Sequence, residues 1–228
     1  MNLVFLGDSL TNGSYGGDWV ALVREALPDH TIINAGVGGD TIVNLLARLE
    51  AVLEQHTPDA IFVMVGGNDA VSYTMPDTRG YYRSAKKIPN GVVTPELFRT
   101  TYRELLTTLL LRHVQPLVGL APTEYNQTLI EAKRQFNQIA REEAEALNVP
   151  VCDLETGFTP AQPVERGPVT LAFIQEIGQR QASGWREFAA ARDAWGYTYT
   201  FDGMHLMPEA APLLAERVIA FLKDQLVL

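Results

Sequence analysis

Four short polar blocks in the sequence carry groups that could do chemistry together. They occupy residues 7–11, 34–41, 66–69 and 202–206. The first three follow runs of apolar residues, and the fourth precedes the last segment of helical period. Among them they supply a hydroxyl group, an imidazole, a carboxylate and amide donors. Hydrolysis of an ester or an amide through a covalent intermediate requires this set of groups.

The hydroxyl, imidazole and carboxylate have one suitable candidate each. Ser9 stands where a strand is expected to pass into a helix, so its hydroxyl can be exposed near a helix N-terminus that favours a developing anion. Of the four histidines, only His205 has an acid beside it in such a setting. Asp202 precedes it by one turn of backbone, which can bring the carboxylate to Nδ1 and leave Nε2 facing Ser9. We therefore predict Ser9 as nucleophile, His205 as general base and Asp202 as the orienting acid.

Donors for the oxyanion must be held in place where negative charge develops. A glycine N–H in a tight turn and a side-chain amide are suitable, and Gly39 and Asn68 meet this need. The N–H of Ser9 would be a third donor. Gly38 is an alternative to Gly39 as the backbone donor.

The elements that position these blocks follow from the hydrophobic pattern. Apolar runs rich in Val and Ile alternate with longer segments of helical period, which is typical of parallel strands joined by crossover helices. Thr94 and Asn126 are expected to cap two of the helices. The expected strands are 3–6, 31–34, 60–65, 117–120 and 149–154, and the expected helices are 19–27, 41–55, 95–112, 127–147 and 208–225.

This pattern predicts an α/β fold with one mainly parallel five-stranded sheet, covered by helices on both faces, as a single domain over residues 1–228. Because ligands bind beyond the carboxyl ends of the strands in such sheets, we expect the four blocks to meet at one edge. Two insertions, 70–93 and 155–200, fit the alternation poorly. Additions of this kind often contact a substrate.

The two insertions are rich in aromatic residues. The tyrosines of 70–93 stand among basic side chains, and this patch either meets an acidic or sugar-like substrate or packs its tyrosines against the scaffold under a solvated loop. In 155–200, we expect one or two of the aromatic side chains that approach Asp202 to form a pocket wall. The candidates are Trp185, Trp195, Tyr197, Tyr199 and Phe201.

The sequence resembles the GDSL, or SGNH, hydrolases over nearly the whole chain. The resemblance rests on four ordered blocks, Gly7-Asp8-Ser9-Leu10, Gly39, Gly66-Gly67-Asn68-Asp69 and Asp202-Gly203-Met204-His205. It implies a flavodoxin-like, three-layer α/β/α fold, a triad of Ser9, Asp202 and His205, and an oxyanion hole of Ser9, Gly39 and Asn68. In one departure, Leu206 follows the histidine where many members have proline.

The blocks and the resemblance together predict a serine hydrolase that cleaves a small-molecule carboxylic ester through an acyl-enzyme, without a cofactor or a metal ion. A small-acyl or carbohydrate ester is favoured because no extended apolar lid is evident. Lysophospholipids and thioesters are alternative substrates. A further alternative is a non-catalytic protein on the same fold that holds an anion or a sugar with Asn68 and the glycine loop.

Two other features have interpretations outside this scheme. The glycines within 36–39 are typical of dinucleotide-binding loops, but the third glycine of that pattern would fall on Thr41. Asp8, Asp40 and Asp69 stand at turns, where carboxylates usually hold loops by hydrogen bonds, and we assign them structural roles.

Charge and composition exclude several classes. The 228 residues include 18 Lys and Arg against 27 Asp and Glu, and a formal charge of −9 disfavours binding to nucleic acid or an anionic membrane. The single cysteine, Cys152, cannot form an intramolecular disulfide, and no zinc-binding pattern is present. No apolar run approaches the ~20 residues that span a bilayer. The first residues carry no export signal, so a cytoplasmic location is expected; the oligomeric state is left open.

Overall fold

Five parallel strands form one sheet in the order β2-β1-β3-β4-β5. The structure is a computed structural model that describes residues 1–226. In the register, Gly7 of β1 pairs with Gly36 of β2 and with Met64 of β3, so the segments that follow these strands start side by side. The strands are β1 (Asn2–Gly7), β2 (Thr31–Gly36), β3 (Ala60–Met64), β4 (Gln115–Leu120) and β5 (Val151–Asp153).

Helices cover both faces of the sheet, which confirms the predicted three-layer α/β/α architecture. On one face, α3, α6 and α7 pack against the sheet, and on the other face α2 and α11 do so. The helices are α1 (Ser9–Asn12), α2 (Trp19–Ala26), α3 (Ile42–His56), α4 (Gly67–Thr74), α5 (Arg79–Ser84), α6 (Pro95–Leu111), α7 (Gln127–Ala146), α8 (Glu155–Phe158), α9 (Leu171–Ala182), α10 (Phe188–Trp195) and α11 (Ala211–Gln225).

The side chains of β1 show why its residues form a central strand. Val4 and Leu6 pack into the core on one face of the sheet, and Leu3 and Phe5 pack into the core on the other. Successive side chains of a strand point to opposite faces, so a strand covered on both sides must be apolar at every position. All five predicted strands are present.

The predicted helix caps are also confirmed. The Thr94 hydroxyl accepts the N–H of Leu97 at 3.2 Å, and the Asn126 side chain accepts the N–H of Leu129 at 2.9 Å. Each cap satisfies a backbone donor that has no partner within its helix. The predicted helix 208–225 begins instead with a 3₁₀ turn, Pro208–Ala210, before α11.

The two insertions are built from short helices. Residues 70–93 hold the end of α4, a 3₁₀ turn at Pro76–Thr78, α5, and a second 3₁₀ turn at Pro89–Gly91. Residues 155–200 hold α8, α9 and α10. Within residues 1–226, no helix is long and apolar enough to cross a membrane.

Candidate active site

Ser9 is positioned by a tight turn between β1 and α1. The Asp8 side chain caps the helix by accepting the N–H of Leu10 at 2.9 Å. Gly7 allows the close approach that this turn requires, because a Cβ at this position would lie 2.2 Å from Oγ1 of Thr11 and 2.5 Å from the carbonyl oxygen of Met64. Ser9 therefore occupies the first residue of α1, at the carboxyl end of a central strand.

His205 connects Ser9 to Asp202 through hydrogen bonds. Its Nε2 lies 3.0 Å from Oγ of Ser9, and its Nδ1 lies 2.8 Å from Oδ2 of Asp202. The other carboxylate oxygen of Asp202 accepts the N–H groups of Met204 at 2.9 Å and of His205 at 2.8 Å. The one-turn spacing predicted from the sequence thus brings carboxylate, imidazole and hydroxyl into a line.

Burial and charge together set the protonation of this pair, since both side chains are buried. Burial lowers the pKa of His205, but the charge of Asp202 and its hydrogen bond to the ring outweigh it, so the pKa lies above the usual 6.5. Burial raises the pKa of Asp202, but the charge and the hydrogen bonds of His205 outweigh it, so that pKa lies below the usual 3.8. At neutral pH the carboxylate is therefore ionised and accepts the Nδ1 proton.

Aromatic rings and a short bridge fix the position of the imidazole. The ring of Tyr15 meets it edge to face at 5.1 Å, and the ring of Phe201 stacks on it at 6.0 Å. Leu206 stands at the position where many GDSL, or SGNH, hydrolases have proline. It pairs with Thr200 in an isolated β-bridge. This bridge closes the loop that carries Asp202 and His205.

Asn68 lies on α4, immediately after the turn that follows β3. Its Nδ2 donates to Oδ2 of Asp8 at 3.3 Å, and its Oδ1 accepts the hydroxyl of Tyr82 at 2.9 Å. The helix begins after Gly66, which has a φ of 119°. The amide lines the same cavity as Ser9 and His205.

The loop that carries Gly39 is held by charged side chains on both sides. Asp40 pairs with Arg48 at 2.9 Å and with Lys86 at 3.0 Å, and Lys86 also donates to the carbonyl of Gly38. Gly39 has a φ of 79°, and a Cβ there would lie 2.4 Å from the hydroxyl oxygen of Tyr81. Only glycine fits this backbone conformation and this contact without strain.

These residues surround a cavity of about 260 Å³. Its lining includes Ser9, Gly39, Asn68 and His205. The remaining wall is largely apolar and includes Leu10, Val71, Leu129, Val169, Ile174, Ile177 and Met204. Residues from both insertions therefore contribute to the walls.

The prediction that aromatic residues near Asp202 form the wall is wrong. The cavity is lined instead by Tyr15 and by one side of α9. Phe201 packs behind His205 with Phe188, at 4.5 Å between ring centroids. Trp195 lies over the guanidinium of Arg166 at 4.2 Å, away from the cavity.

Sequence reasoning gave no role to Arg166 or Lys133, and it considered Tyr82 only as one of the tyrosines of the patch in 70–93. Tyr82 binds Asn68, as described above. Arg166 donates to the carbonyl oxygen of Asp202 at 2.8 Å and thereby ties the second insertion to the loop of His205. Lys133 is buried in α7, lines the cavity, and donates to the carbonyl of Val65 at 3.1 Å.

Lys133 had a signal in the sequence. It stands four residues after Leu129 and three before Phe136, on the apolar face of a helix, where a lysine is unusual. Burial lowers its pKa, and the charges of Asp8 and Asp69 act in the opposite direction. Burial raises the pKa of both acids, so Lys133, Asp8 and Asp69 form one buried set of interacting titratable groups beneath the site.

The three acids assigned to loops make the contacts expected of structural residues. Asp8 caps α1, Asp40 pairs with Arg48 and Lys86, and Asp69 accepts the N–H of Ile42 at the start of α3 at 3.0 Å. In the part of the chain that the structure describes, no group of three or more His, Cys, Asp or Glu side chains is placed to hold a metal ion.

The sequence profile of the GDSL-like lipase/acylhydrolase family matches residues 5–211. The chain belongs to this family. The matched residues include Ser9, Gly39, Asn68 and His205, which line the cavity, and Asp202, which binds His205.

Two curated relatives of this GDSL-like protein are esterases or thioesterases by name. An arylesterase of Vibrio mimicus is 42% identical over 76 residues, which are 30% of this chain and 38% of the relative. Thioesterase 1/protease 1/lysophospholipase L1 of Escherichia coli strain K12 is 31% identical over 155 residues, which are 65% of this chain and 64% of the relative. The chain thus spans less than two thirds of the length of these curated relatives.

Solved structures with the same fold cover almost the whole GDSL-like chain. A lipase/acylhydrolase from Enterococcus faecalis matches with a TM-score of 0.62 and 20% identity, over 98% of this chain and 95% of its own. Axe2, an acetylxylan esterase from Geobacillus stearothermophilus, matches with a TM-score of 0.62 and 18% identity, over 96% of this chain and 92% of its own. At these identities the likeness establishes the fold.

Proposed function

We propose that the protein hydrolyses carboxylic esters through an acyl-enzyme formed on Ser9. The observation that carries the proposal is the pair of hydrogen bonds made by His205, at 3.0 Å to the hydroxyl oxygen of Ser9 and at 2.8 Å to Asp202. A serine hydroxyl is a weak nucleophile unless an adjacent base removes its proton. A base whose other nitrogen is held by a carboxylate is in the required tautomer.

In the first half of the reaction, Oγ of Ser9 attacks the ester carbonyl while its proton passes to Nε2 of His205. Donors stabilise the negative charge on the carbonyl oxygen, and we assign this role to the N–H groups of Ser9 and Gly39 and the amide of Asn68. The C–O bond to the alcohol then breaks, and His205 returns the proton to the leaving oxygen. An acyl group remains on Ser9.

Water completes the cycle. His205 takes a proton from the water as its oxygen attacks the acyl carbon, and the second tetrahedral intermediate collapses to release the acid and the hydroxyl of Ser9. Asp202 stabilises the imidazolium in both halves by its charge and stays ionised throughout. The low pKa of Asp202 suits this role.

The size of the cavity supports an ester with a small or medium acyl group as substrate. Its volume of about 260 Å³ is slightly below the ~300–1,000 Å³ typical of sites for drug-sized ligands. The names of the relatives, which include an arylesterase and an acetylxylan esterase, are in keeping with a small acyl group or a small alcohol. We therefore assign the small-acyl class, including acetylated carbohydrates and aryl esters.

The apolar wall supports a second candidate substrate class. Ile174, Ile177 and Leu129 are among the apolar residues that line the cavity. An acyl chain of several methylenes gains about 0.8 kcal/mol for each one that it buries. A medium-chain thioester or lysophospholipid is the class that would use this surface.

The test compares hydrolysis of p-nitrophenyl acetate by the wild type and by Ser9→Ala, with Ser183→Ala as control because Ser183 is exposed and contacts only its own helix. We expect Ser9→Ala to lose at least 10³-fold in kcat, on the scale that loss of a triad member has in other enzymes, and Ser183→Ala to match the wild type. A fluorophosphonate should label the wild type and Ser183→Ala only. Equal rates for the wild type and Ser9→Ala would refute the proposal, and wild type without turnover or label would indicate the binding-protein alternative.

Esters from acetyl to decanoyl separate the two substrate classes. The small-acyl assignment predicts that kcat/KM is highest for acetyl to butyryl esters. A maximum at octanoyl or decanoyl esters would instead support the thioesterase or lysophospholipase class.

A further inference from the structure

Tyr82 lies outside the four sequence blocks, on α5 within the insertion 70–93, and yet its side chain reaches the candidate oxyanion donor. The residue is 1% exposed. Its hydroxyl donates to Oδ1 of Asn68 at 2.9 Å, while Nδ2 of the same amide donates to Oδ2 of Asp8 at 3.3 Å. The amide is thus held at both ends by groups of opposite hydrogen-bonding character.

These two contacts define the orientation of the Asn68 amide. Oδ2 of Asp8 accepts from the NH₂ group of Asn68 and the Tyr82 hydroxyl donates to Oδ1, so each end of the amide has a partner of the matching kind. Burial holds the pKa of the Tyr82 hydroxyl well above its usual 10.0, so the hydroxyl remains protonated and able to donate at any working pH. A flipped amide would place its oxygen against Oδ2 of Asp8 and would lose the hydrogen bond that the Tyr82 hydroxyl donates to Oδ1.

The fixed orientation has a consequence for the cavity that Asn68 lines. An NH₂ group has two hydrogens, and the bond to Asp8 uses one of them. The second hydrogen is free to stabilise an oxyanion. If the amide rotated, the acceptor Oδ1 would approach the oxyanion and repel it.

We infer that Tyr82 is a positioning residue, which orients the Asn68 amide for oxyanion binding through its hydrogen bond to Oδ1. The inference rests on the proposed ester hydrolysis and adds a role for the insertion 70–93 that the sequence blocks do not contain. Tyr82 also lines the cavity, but its hydroxyl hydrogen-bonds to Asn68 and not to Ser9 or His205, so the effect of the hydroxyl on the reaction passes through Asn68.

Neighbouring residues of the same insertion hold Tyr82 in place. The N–H of Ile88 donates to the carbonyl of Tyr82 at 3.0 Å, and Ile88 is fully buried. The ring of Tyr81 meets the ring of Tyr82 edge to face at 5.1 Å. Lys86, one turn further on, binds the carbonyl of Gly38. The insertion therefore contacts both Asn68 and the loop that carries Gly39.

The test is Tyr82→Phe, which removes the hydroxyl and keeps the ring. We expect kcat for p-nitrophenyl acetate to fall about 10-fold, which is the scale of one lost hydrogen bond, with KM within twofold of the wild-type value. The kcat of Asn68→Ala should be lower still, by ~10²–10³-fold relative to the wild type, because the donor itself is lost. In the double variant, Tyr82→Phe should add no further loss, since the amide on which it acts is absent.

The matched control is Tyr102→Phe. Tyr102 is equally buried, at 1% exposure, and its hydroxyl has no hydrogen-bond partner among the described residues. We expect its kcat to equal that of the wild type. Equal kcat values for Tyr82→Phe and Tyr102→Phe, or a further 10-fold loss on the Asn68→Ala background, would overturn the inference.

An NMR measurement tests the contact between Tyr82 and Asn68 without relying on catalytic activity. The side-chain NH₂ resonances of Asn68, assigned by their loss in Asn68→Ala, should move in Tyr82→Phe and not in Tyr102→Phe. Unchanged resonances in Tyr82→Phe would refute the positioning role even if the wild type proved inactive. Moved resonances in a protein without esterase activity would refute the proposed function alone.

Discussion

The hydroxyl oxygen of Ser9 and Nε2 of His205 lie 3.0 Å apart although 196 positions separate them in the chain. A second contact beside them holds the two segments together, because the N–H of Gly17 donates to the carbonyl of Leu206 at 2.9 Å. Gly16 permits this approach, since a Cβ there would lie 2.4 Å from the same carbonyl oxygen. The two ends of the site are therefore joined by backbone as well as by side chains.

The pH dependence of activity should follow the protonation of His205. The base must be neutral to accept a proton, and Asp202 holds the pKa of His205 above 6.5. We therefore expect kcat/KM for p-nitrophenyl acetate to fall as the pH is lowered, with its half-point above pH 6.5. A profile that is flat from pH 8 to pH 5 would contradict the role of His205.

Asp202→Asn should leave the loop in place and impair the base. The asparagine oxygen can still accept the two backbone N–H groups, but its NH₂ group would donate to Nδ1 of His205. The ring proton would then lie on Nε2, which faces Ser9 and could no longer accept the serine proton. We expect kcat to fall on the order of 10⁴-fold, as for the loss of an orienting acid in other serine hydrolases. Asp193→Asn, which changes an exposed acid, is the control, and a loss below 10-fold in Asp202→Asn would exclude Asp202 as orienting acid.

Gly178→Leu should narrow the range of acyl chains. Gly178 lies on α9 at the cavity, and a Cβ built there meets no atom within 4 Å. A leucine can therefore extend into the space beside Ile177 without displacing the helix. We expect kcat/KM for octanoyl esters to fall ~10-fold or more, as for lost methylene contacts, and that for acetyl esters to change less than twofold. Gly80→Leu, at an exposed glycine that does not line the cavity, should change the kcat/KM of neither ester. Equal losses of kcat/KM for the octanoyl and acetyl esters in Gly178→Leu would contradict this prediction.

Asp69→Asn should change how stability depends on pH. Asp69 is fully buried, only its Oδ1 has a partner within residues 1–226, and burial raises its pKa to about 7. Between the unfolded value of 3.8 and about 7, the folded protein binds a proton that the unfolded chain lacks, so this group makes the free energy of unfolding decrease as the pH rises. Asparagine does not titrate.

The measurement for Asp69→Asn is urea unfolding at pH 4 and pH 8. From pH 4 to pH 8, we expect the free energy of unfolding of the variant to rise by roughly 1–4 kcal/mol relative to that of the wild type. Asp193→Asn should track the wild type. If the free energies of unfolding of Asp69→Asn and the wild type differed by the same amount at pH 4 and pH 8, the carboxyl of Asp69 would be ionised in the folded protein at both pH values.

The sequence predicted the scaffold well because its signals are local. The segment Ala60–Met64 is apolar at every position and is a central strand, and Thr94 and Asn126 cap the helices that they precede. The positions of the polar blocks followed from one rule of parallel sheets, that strand ends share an edge. This rule placed Ser9 and Asn68 beside the same cavity.

The supporting residues depend on contacts that no local pattern records. Tyr82 meets Asn68 across 14 positions and a change of element, and Arg166 meets Asp202 across 36. Phe201 shows the opposite error, because closeness to Asp202 in sequence does not give closeness to the cavity. Its ring packs into the core on the side of α2 and α11, behind the imidazole.

The distance along the chain between Ser9 and His205 also sets an order of events during translation. A nascent polypeptide that has left the ribosome as far as β4 already contains Ser9, Gly39 and Asn68 but not His205. At ~5–20 residues per second, synthesis of the chain from the end of β4 to His205 takes roughly 4–17 s. Throughout that interval the unfinished polypeptide lacks the imidazole that contacts Ser9 in the folded protein, so the hydrogen bond between Ser9 and His205 forms only after residue 205 has been made.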